Sequence, residues 1–253
     1  KGCATAAASR SAILASRLAE MGMTAPAFPF EGNCGFWQQF SGQSVDIGAM
    51  GHGEYRIQSS AIKQYPSQTH TQGPISLAVE LRSQVSVSDI AYIRLRTYEK
   101  AVTSAAAEPE KWAPKNRETA DHSIPYLVAY AFHYGAVTPH SFSDKYLHDP
   151  SIQALTELID VEEDPDFTVR FPNEYNCHME LITRSGERSE ASVVHPKGFP
   201  DNALSDSELE GKFLSLAVDL LSTGQLNGAL DVLWSLESET DLTALLDNIV
   251  VRP

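Results

Sequence analysis

The sequence is poor in cysteine and contains no closely spaced cysteine pair. Three cysteines, Cys3, Cys34 and Cys177, are spread over 253 residues, and no two of them form a Cys-x-x-Cys motif. An odd, dispersed set argues against a disulfide framework, and against an iron–sulfur or zinc cluster held by this chain alone. The pattern therefore favours a protein of a reducing compartment.

Basic residues and long apolar runs are also scarce. The chain carries 19 lysines and arginines against 33 aspartates and glutamates, a formal net charge of -14. Such an acidic chain is a poor candidate for binding nucleic acid or an anionic membrane. No run of about 18 apolar residues is present, so we expect no membrane span. Any site for an anionic substrate must therefore be a local basic pocket.

Motifs that hold nucleotides or metal ions are missing as well. The sequence has no Gly-x-Gly-x-x-Gly or Walker pattern, which argues against nucleotide binding. It has no His-x-x-x-His or Glu-x-x-His arrangement that would place metal ligands on one helix face. We therefore expect a protein that uses neither a metal ion nor a cofactor.

The most informative stretch that is present covers residues 117–126. It places Asp121 and His122 directly before Ser123, with Pro125 following. Serine at an N-cap with proline in the first turn predicts a helix start, and the unpaired N–H groups of such a start attract anions. A carboxylate and an imidazole there suggest acid–base chemistry on a carboxylate or phosphate. The alternative is that Asp121 caps the helix and His122 packs under a loop.

A second polar stretch precedes another predicted helix start, at residues 73–74. It contains Lys63, His70, Thr71 and Gln72. A cation, an imidazole, a hydroxyl and an amide before a helix N-terminus suit a carboxylate ligand. The alternative interpretation is an ordinary polar loop.

The order of predicted elements indicates an α+β fold. Apolar periodicity predicts helices first, then a mixed block, then helices again. The predicted helices are 4–22, 74–81, 126–134, 151–158, one starting after Ser205, 226–236 and 242–249; the predicted strands are 90–97, 177–183 and 189–194. This order is what results when an α/β domain is inserted between two parts of a helical domain.

The two polar stretches together resemble the MmgE/PrpD family, whose best-known members are 2-methylcitrate dehydratases. Residues 117–126 look like the most recognisable motif of the family. Residues 63–72 look like its lysine-to-histidine loop, with the Tyr-Pro pair, histidine, threonine and glutamine in the order of the dehydratase branch. Residues 163–168 and 204–213 resemble later family segments.

The resemblance implies a large all-helical domain, mostly absent here, interrupted by a smaller α/β lid domain. Residues 1–57 would end the first segment of the helical domain, 58–200 would form the lid, and 201–253 would return to the helical domain. The match covers the C-terminal half or so of a family member, so the N-terminal half of the same protein would be missing. Family members resemble one another in being metal-independent homodimers with the site between the domains.

The resulting hypothesis is a lyase of propionate metabolism that removes water from a hydroxylated tricarboxylate such as 2-methylcitrate. Because a proton beside a carboxylate is weakly acidic, a base must act together with cations, and an acid must protonate the departing hydroxyl. The catalytic candidates are His70, His122 and Asp121, and the substrate-binding candidates are Lys63, Thr71, Gln72 and Lys1. Lys1 enters because the family's site lysine falls at or just before it.

Other functions stay open at this point. A dicarboxylate epimerase or isomerase would use the same proton abstraction, and a non-catalytic family member would keep only the fold. A cis-aconitate-type decarboxylase is less favoured, because that branch tends to place a histidine where this chain has Gln68. The partner would be a small polycarboxylate, and the location the cytoplasm, or the mitochondrial matrix in a eukaryote.

Overall fold

The computed structural model describes residues 3–43, 53 and 55–251, with the side chain of Arg56 left out. The chain separates into two compact units, Lys1–Tyr55 and Arg56–Pro253, and each is described by itself. The first unit contains α1 (Ala4–Glu20) and α2 (Phe36–Phe40). The predicted first helix is confirmed to within two residues at its C-terminal end, and α1 buries none of its side chains within the described chain.

The second unit is built on a four-stranded mixed sheet. Its strands are β1 (Ile90–Thr97), β2 (Ile159–Glu163), β3 (Cys177–Thr183) and β4 (Arg188–Val193), in the order β2-β1-β3-β4. β1 runs parallel to β2 and antiparallel to β3, and β3 and β4 form an antiparallel hairpin. The predicted strand 90–97 and the predicted hairpin are therefore confirmed.

The two faces of the sheet differ because side chains alternate along each strand. Ile93, Leu95, Met179 and Leu181 are fully buried on one face. On the other face charged side chains pair across strands, as in the ion pair of Arg94 with Glu162 at 2.6 Å. One face therefore contributes to the core of the unit, and the other carries charge.

Two helices cover the buried face of the sheet. α3 (Gln72–Leu81) packs against α7 (Ile124–Tyr134), against β3 and against β4, and α7 also contacts β2. Nine of the eleven residues of α7 are buried. α7 ends at Gly135, whose φ of 75° lies in the left-handed region that favours glycine. Each helix begins within the last residues of one of the two polar stretches, so the core fixes where those stretches lie.

The remaining helices are short or lie near the C-terminus. Because parallel strands need a long crossover connection, a chain of helices joins β1 to β2. These connecting helices are α4 (Glu99–Ala105), α5 (Pro109–Trp112), α6 (Arg117–Ala120), α7, α8 (Asp144–Leu147) and α9 (Pro150–Thr156), and α10 (Pro165–Arg170) follows β2. The chain closes with α11 (Asp206–Ala217), α12 (Thr223–Trp234) and α13 (Thr243–Asn248).

The C-terminal helices are well capped but little buried. Ser205 and Glu208 form the capping box that the sequence predicts, and Ser222 with Gln225 forms another. Of the residues in α11, α12 and α13, only Leu226 and Ala229 are buried within the described chain.

The α+β fold class is confirmed, whereas strand β2 has no counterpart in the sequence prediction. Asp and Glu are depleted in strands, and three of the five residues of β2 are acidic. Arginines of β1 lie beside two of them, since Arg94 lies opposite Asp160 and Arg96 opposite Glu162, and Arg94 forms an ion pair with Glu162. The lid arrangement and the boundaries after residues 57 and 200 remain predictions. In the described part of the chain, no helix is long and apolar enough to cross a membrane.

Candidate active site

The side chain of Gln72 organises the polar stretch of residues 63–72. Its Oε1 accepts a hydrogen bond from the backbone N–H of Tyr65 at 2.9 Å. Its Nε2 donates to the backbone oxygen of Tyr65 at 3.2 Å, to Ser67 Oγ at 3.0 Å and to Gln68 O at 3.3 Å. Gln72 is 1% exposed. The amide therefore closes the loop by binding residues four to seven positions earlier in the chain.

Thr71 extends the same network and is fully buried. Its Oγ1 donates to the backbone oxygen of Gln68 at 2.8 Å and lies 2.7 Å from Ser67 Oγ. Because the one hydroxyl hydrogen of Thr71 is committed to Gln68, Ser67 donates to Thr71 and accepts from Gln72. The hydrogen bonds made by the side chains of Thr71 and Gln72 thus lie within the loop. Their expected contact with a substrate stays a prediction.

Lys63 lies where the loop begins, next to a second lysine. Its Nζ donates to the backbone oxygen of Ser67 at 2.6 Å, and its own backbone oxygen accepts from Lys212 Nζ of α11 at 2.5 Å. Burial, and then the charge of Lys63, lower the pKa of Lys212. Two cations are therefore held together at the base of the loop, in a chain of strongly negative net charge.

The backbone before Lys63 is held by a close approach of Gly198. The N–H of Ile62 donates to the backbone oxygen of Gly198 at 2.7 Å. Gly198 has a φ of +90°, and a Cβ atom there would lie 2.0 Å from the backbone oxygen of Ile62. A side chain at position 198 would therefore force the start of the loop to move.

His70 lies in an aromatic surrounding. Its Nδ1 is 2.7 Å from the hydroxyl of Tyr98, the residue directly after β1. Its ring centroid lies 5.5 Å from that of Tyr98, 5.9 Å from Phe171 and 6.5 Å from Tyr175. Burial, and then the positive charge of Lys100, lower the pKa of His70 to about 4. The imidazole is therefore neutral at physiological pH.

Residues 117–126 form a short helix, a turn and the start of α7. Asn116 caps α6 by accepting from the N–H of Thr119 at 2.9 Å. Ser123 caps α7 by accepting from the N–H of Tyr126 at 3.1 Å, and its hydroxyl donates to the backbone oxygen of Lys111. The predicted N-cap is thus confirmed. The alternative in which Asp121 caps this helix is wrong, because Ser123 occupies the cap position.

Asp121 instead contacts the neighbouring imidazole. Its Oδ1 lies in hydrogen-bond contact with Nδ1 of His122, and the two side chains are 20% and 18% exposed. An ionised carboxylate can only accept, so the ring N–H at Nδ1 donates to it. A carboxylate bound to one ring nitrogen orients the imidazole and favours the tautomer with its lone pair on the other nitrogen, Nε2.

The two polar stretches lie side by side. The backbone N–H of Gln68 donates to the backbone oxygen of Asp121 at 2.8 Å. The Oε1 atom of Gln68 is buried beside this contact without a hydrogen-bond partner among the described residues. The structure therefore brings the loop of Lys63 and His70 against the turn of Asp121 and His122. Lys1, the remaining candidate, lies outside the described residues.

The structure adds two side chains to this neighbourhood that the sequence analysis did not select. Tyr98 contacts His70, and Lys212 binds the backbone of Lys63. The signal for Tyr98 is a polar aromatic residue at the end of a predicted strand, and the signal for Lys212 is a cation on the first predicted C-terminal helix. Neither signal is specific, because the partner is far away in sequence.

The cavities next to Lys212 do not coincide with the two imidazoles. One, of about 390 Å³, lies between Pro66, His140 and α11, and another, of about 290 Å³, lies between Tyr65 and α11. Both are lined by Lys212, and neither is lined by His70 or His122. Across residues 3–43, 53 and 55–251, no three histidine, cysteine, aspartate or glutamate side chains are grouped so that they could hold a metal ion.

The sequence matches a known protein family over most of its length. The model of the MmgE/PrpD C-terminal domain matches residues 65–236, which include both polar stretches apart from Lys63 and Gln64. The chain belongs to the MmgE/PrpD family.

Curated relatives of the chain carry the name 2-methylcitrate dehydratase. The protein of Escherichia coli K12 is 30% identical over 180 residues, which are 67% of this chain and 35% of that protein. The protein of Cupriavidus necator is 32% identical over 175 residues, 66% of this chain and 34% of its own length. A mitochondrial relative from Yarrowia lipolytica is 30% identical over 132 residues, 50% of this chain and 24% of its own length. The chain thus spans about a third of the bacterial relatives, in their C-terminal portion.

Proposed function

We propose that the protein is a hydro-lyase that removes water from a hydroxylated tricarboxylate such as 2-methylcitrate. Membership of the MmgE/PrpD family and the names of the relatives support this activity. The observation that carries it is the backbone hydrogen bond between Gln68 and Asp121, which places the two imidazole-bearing segments next to each other. Acid–base elimination needs two such groups near one substrate.

The Asp121–His122 pair would move the protons. Because Asp121 accepts a hydrogen bond from Nδ1 of His122, the lone pair of the ring is on Nε2. Nε2 would take the proton from the carbon beside a substrate carboxylate. His122 would then give this proton to the substrate hydroxyl as the C–O bond breaks, so that the electron pair of the C–H bond forms the double bond and water leaves. His70 would contact the substrate from the neighbouring loop.

The lysines would hold the carboxylates of the substrate. Lys63 donates one N–H to the backbone oxygen of Ser67, and the other N–H groups of its ammonium would bind an anion. Lys1 would add a further cation. Thr71 and Gln72 would fix the shape of the substrate-binding loop through the hydrogen bonds they make within it. A polyacid attracted into a negative molecule needs such a local concentration of positive charge.

The remaining parts of the proposal concern the whole protein. Residues 58–200 would be the lid domain, and residues 1–57 and 201–253 would belong to a helical domain completed by an N-terminal half of the same protein. The assembly would be a homodimer acting in propionate metabolism. Its location would be the cytoplasm, or the mitochondrial matrix in a eukaryote.

The test is to supply 2-methylcitrate, citrate and cis-aconitate to the full-length protein. Appearance of ultraviolet absorbance from a new conjugated double bond with 2-methylcitrate supports dehydration. Release of carbon dioxide from cis-aconitate would replace the proposal with a decarboxylase, and racemisation of a chiral dicarboxylate without either signal would replace it with an isomerase. A ligand that raises the melting temperature without turnover would indicate a non-catalytic family member.

A further inference from the structure

The hydroxyl of Tyr98 has a single partner. Tyr98 is 2% exposed, and its Oη atom lies 2.7 Å from Nδ1 of His70. No other described residue hydrogen-bonds this hydroxyl. Burial raises the pKa of Tyr98, so the phenol keeps its hydrogen throughout the physiological range. A buried hydroxyl hydrogen therefore has one acceptor available to it.

The direction of this hydrogen bond follows from that count. If Nδ1 of His70 carried a hydrogen and donated to Tyr98, the phenol hydrogen would be buried without an acceptor. Leaving a buried donor unsatisfied costs on the order of 1–3 kcal/mol, so the opposite direction is favoured. Tyr98 donates, Nδ1 accepts, and the hydrogen of the neutral ring resides on Nε2. Nε2 makes no hydrogen bond to any described residue.

The surroundings of His70 also keep the ring uncharged. The titratable and charged groups that face it are the phenols of Tyr98 and Tyr175 and the ammonium of Lys100. None of these groups is a carboxylate that would favour an imidazolium. With its pKa lowered to about 4, the His70 ring is uncharged in nearly all molecules at pH 7. A group so rarely charged is a poor source of protons but a good neutral hydrogen-bond donor.

We propose that Tyr98 is a positioning residue that holds the hydrogen of His70 on Nε2, and that this N–H binds the substrate carboxylate oxygen on which negative charge develops. The ring donates a hydrogen bond and transfers no proton, so proton transfer remains with other groups. A fixed donor aimed at developing charge stabilises the transition state without needing to reorganise. The identity of the substrate rests on the proposed function; the tautomer does not.

The tautomer is tested directly by nitrogen-15 magnetic resonance of the His70 ring. The wild-type protein, labelled on histidine and assigned with His70→Gln, should show a pyrrole-type Nε2 and a lone-pair-type Nδ1 from pH 5.5 to 8. In Tyr98→Phe the two nitrogen signals should move toward averaged values. A wild-type ring with its hydrogen on Nδ1, or one that becomes charged near pH 6.5, would overturn the proposal. This wild-type measurement decides the question even if Tyr98→Phe fails to fold.

Kinetics with 2-methylcitrate test the donor role. Tyr98→Phe keeps the ring and removes only the hydroxyl, so kcat should fall roughly 10- to 100-fold with little change in KM. The matched control is Tyr126→Phe, since Tyr126 is also 2% exposed and donates one hydrogen bond, to Ser141 O at 2.6 Å. The control should lose stability similarly and keep its kcat. Equal kinetic losses in both variants would reduce Tyr98 to a structural residue.

The two proposals can fail separately. A wild-type protein that leaves 2-methylcitrate unchanged but shows the hydrogen on Nε2 would refute the substrate and retain the role of Tyr98 in fixing the ring. A protein that dehydrates 2-methylcitrate but carries the hydrogen on Nδ1 would do the reverse.

Discussion

The two histidines of the candidate site lie in contrasting surroundings. His70 is surrounded by the rings of Tyr98, Phe171 and Tyr175, and its Nδ1 faces a phenol. His122 lies beside Asp121, and its Nδ1 faces a carboxylate. A phenol can donate a hydrogen bond, whereas an ionised carboxylate can only accept one. The neutral ring therefore carries its hydrogen on Nε2 in His70 and on Nδ1 in His122. The two histidines lie in segments joined by the backbone hydrogen bond between Gln68 and Asp121.

This contrast separates a donor from a base. A ring with its hydrogen on Nε2 can stabilise negative charge on the substrate, while a ring with its lone pair on Nε2 can accept a proton. The comparison also shows that a pair of histidines need not share a role. The role of each histidine depends on the hydrogen-bond partner of its Nδ1 atom.

The largest expected effect on the difference between the two histidines is that of His122→Ala. If His122 transfers a proton in the slow step, kcat should fall by roughly 10²–10⁴-fold, measured by the absorbance assay with 2-methylcitrate. The melting temperature should change little if the residue lies at a solvated cleft. His133→Ala is the control, because His133 is also half-buried and, among the described residues, its ring hydrogen-bonds only the backbone oxygen of Ser151. A large fall in melting temperature with a modest kinetic loss would show that His122 has a packing role.

The pH dependence of stability tests the other histidine. The folded pKa of about 4 lies below the ordinary value of 6.5. As pH falls from 6.5 to 4, the unfolded chain binds a proton at His70 that the folded chain does not, so this contribution to stability is lost over that range. Because the ring is only partly buried and solvent screens its charge, the loss is reduced to on the order of 2 kcal/mol. Between pH 7 and pH 4.5, the free energy of unfolding measured with urea should fall less in His70→Gln than in wild type. The carboxylates are the same in both proteins, so their contributions to the pH dependence cancel in this comparison. Equal losses would mean that His70 titrates normally.

The support of the His70 loop can be weakened through Gln72. Gln72→Ala removes the amide that binds Tyr65, Ser67 and Gln68, and leaves the N–H of Tyr65 without its partner. The free energy of unfolding should fall by about 2 kcal/mol, measured by urea denaturation. Gln153→Ala, at an exposed position of α9, should change it by less than about 0.5 kcal/mol. If both substitutions were equally mild, the loop would not depend on the amide network.

The turn of Asp121 and His122 was the more predictable of the two segments. Its determinants are local: the N-cap at Ser123, Pro125 within the first turn and the pairing of adjacent residues all lie within ten positions. Capping rules act over such distances, so the sequence indicates them directly. The same reason explains why the predicted capping box at Ser205 and the alternating strand β1 are confirmed.

The His70 segment was less predictable because its partners are distant. Tyr98 lies 28 residues away in sequence and Lys212 bonds a residue 149 positions earlier. No periodicity or spacing rule connects such pairs; they meet because the fold brings the residue after β1 to His70 and brings α11 to the backbone of Lys63. Strand β2 was missed for a related reason, since its acidic residues are compensated by arginines of β1 rather than by neighbours in sequence.

The smallest expected effect concerns the support of the predictable segment. Ser123→Ala removes the cap of α7 and the bond from Ser123 to Lys111. The free energy of unfolding should fall by about 1 kcal/mol, measured by urea denaturation. Ser222→Ala removes the corresponding cap of α12 and should cost a similar amount. Only the first should also lower kcat, because Ser123 directly follows His122 and a shifted first turn of α7 moves that ring. Equal effects of both variants on kcat would show that the start of α7 does not position His122.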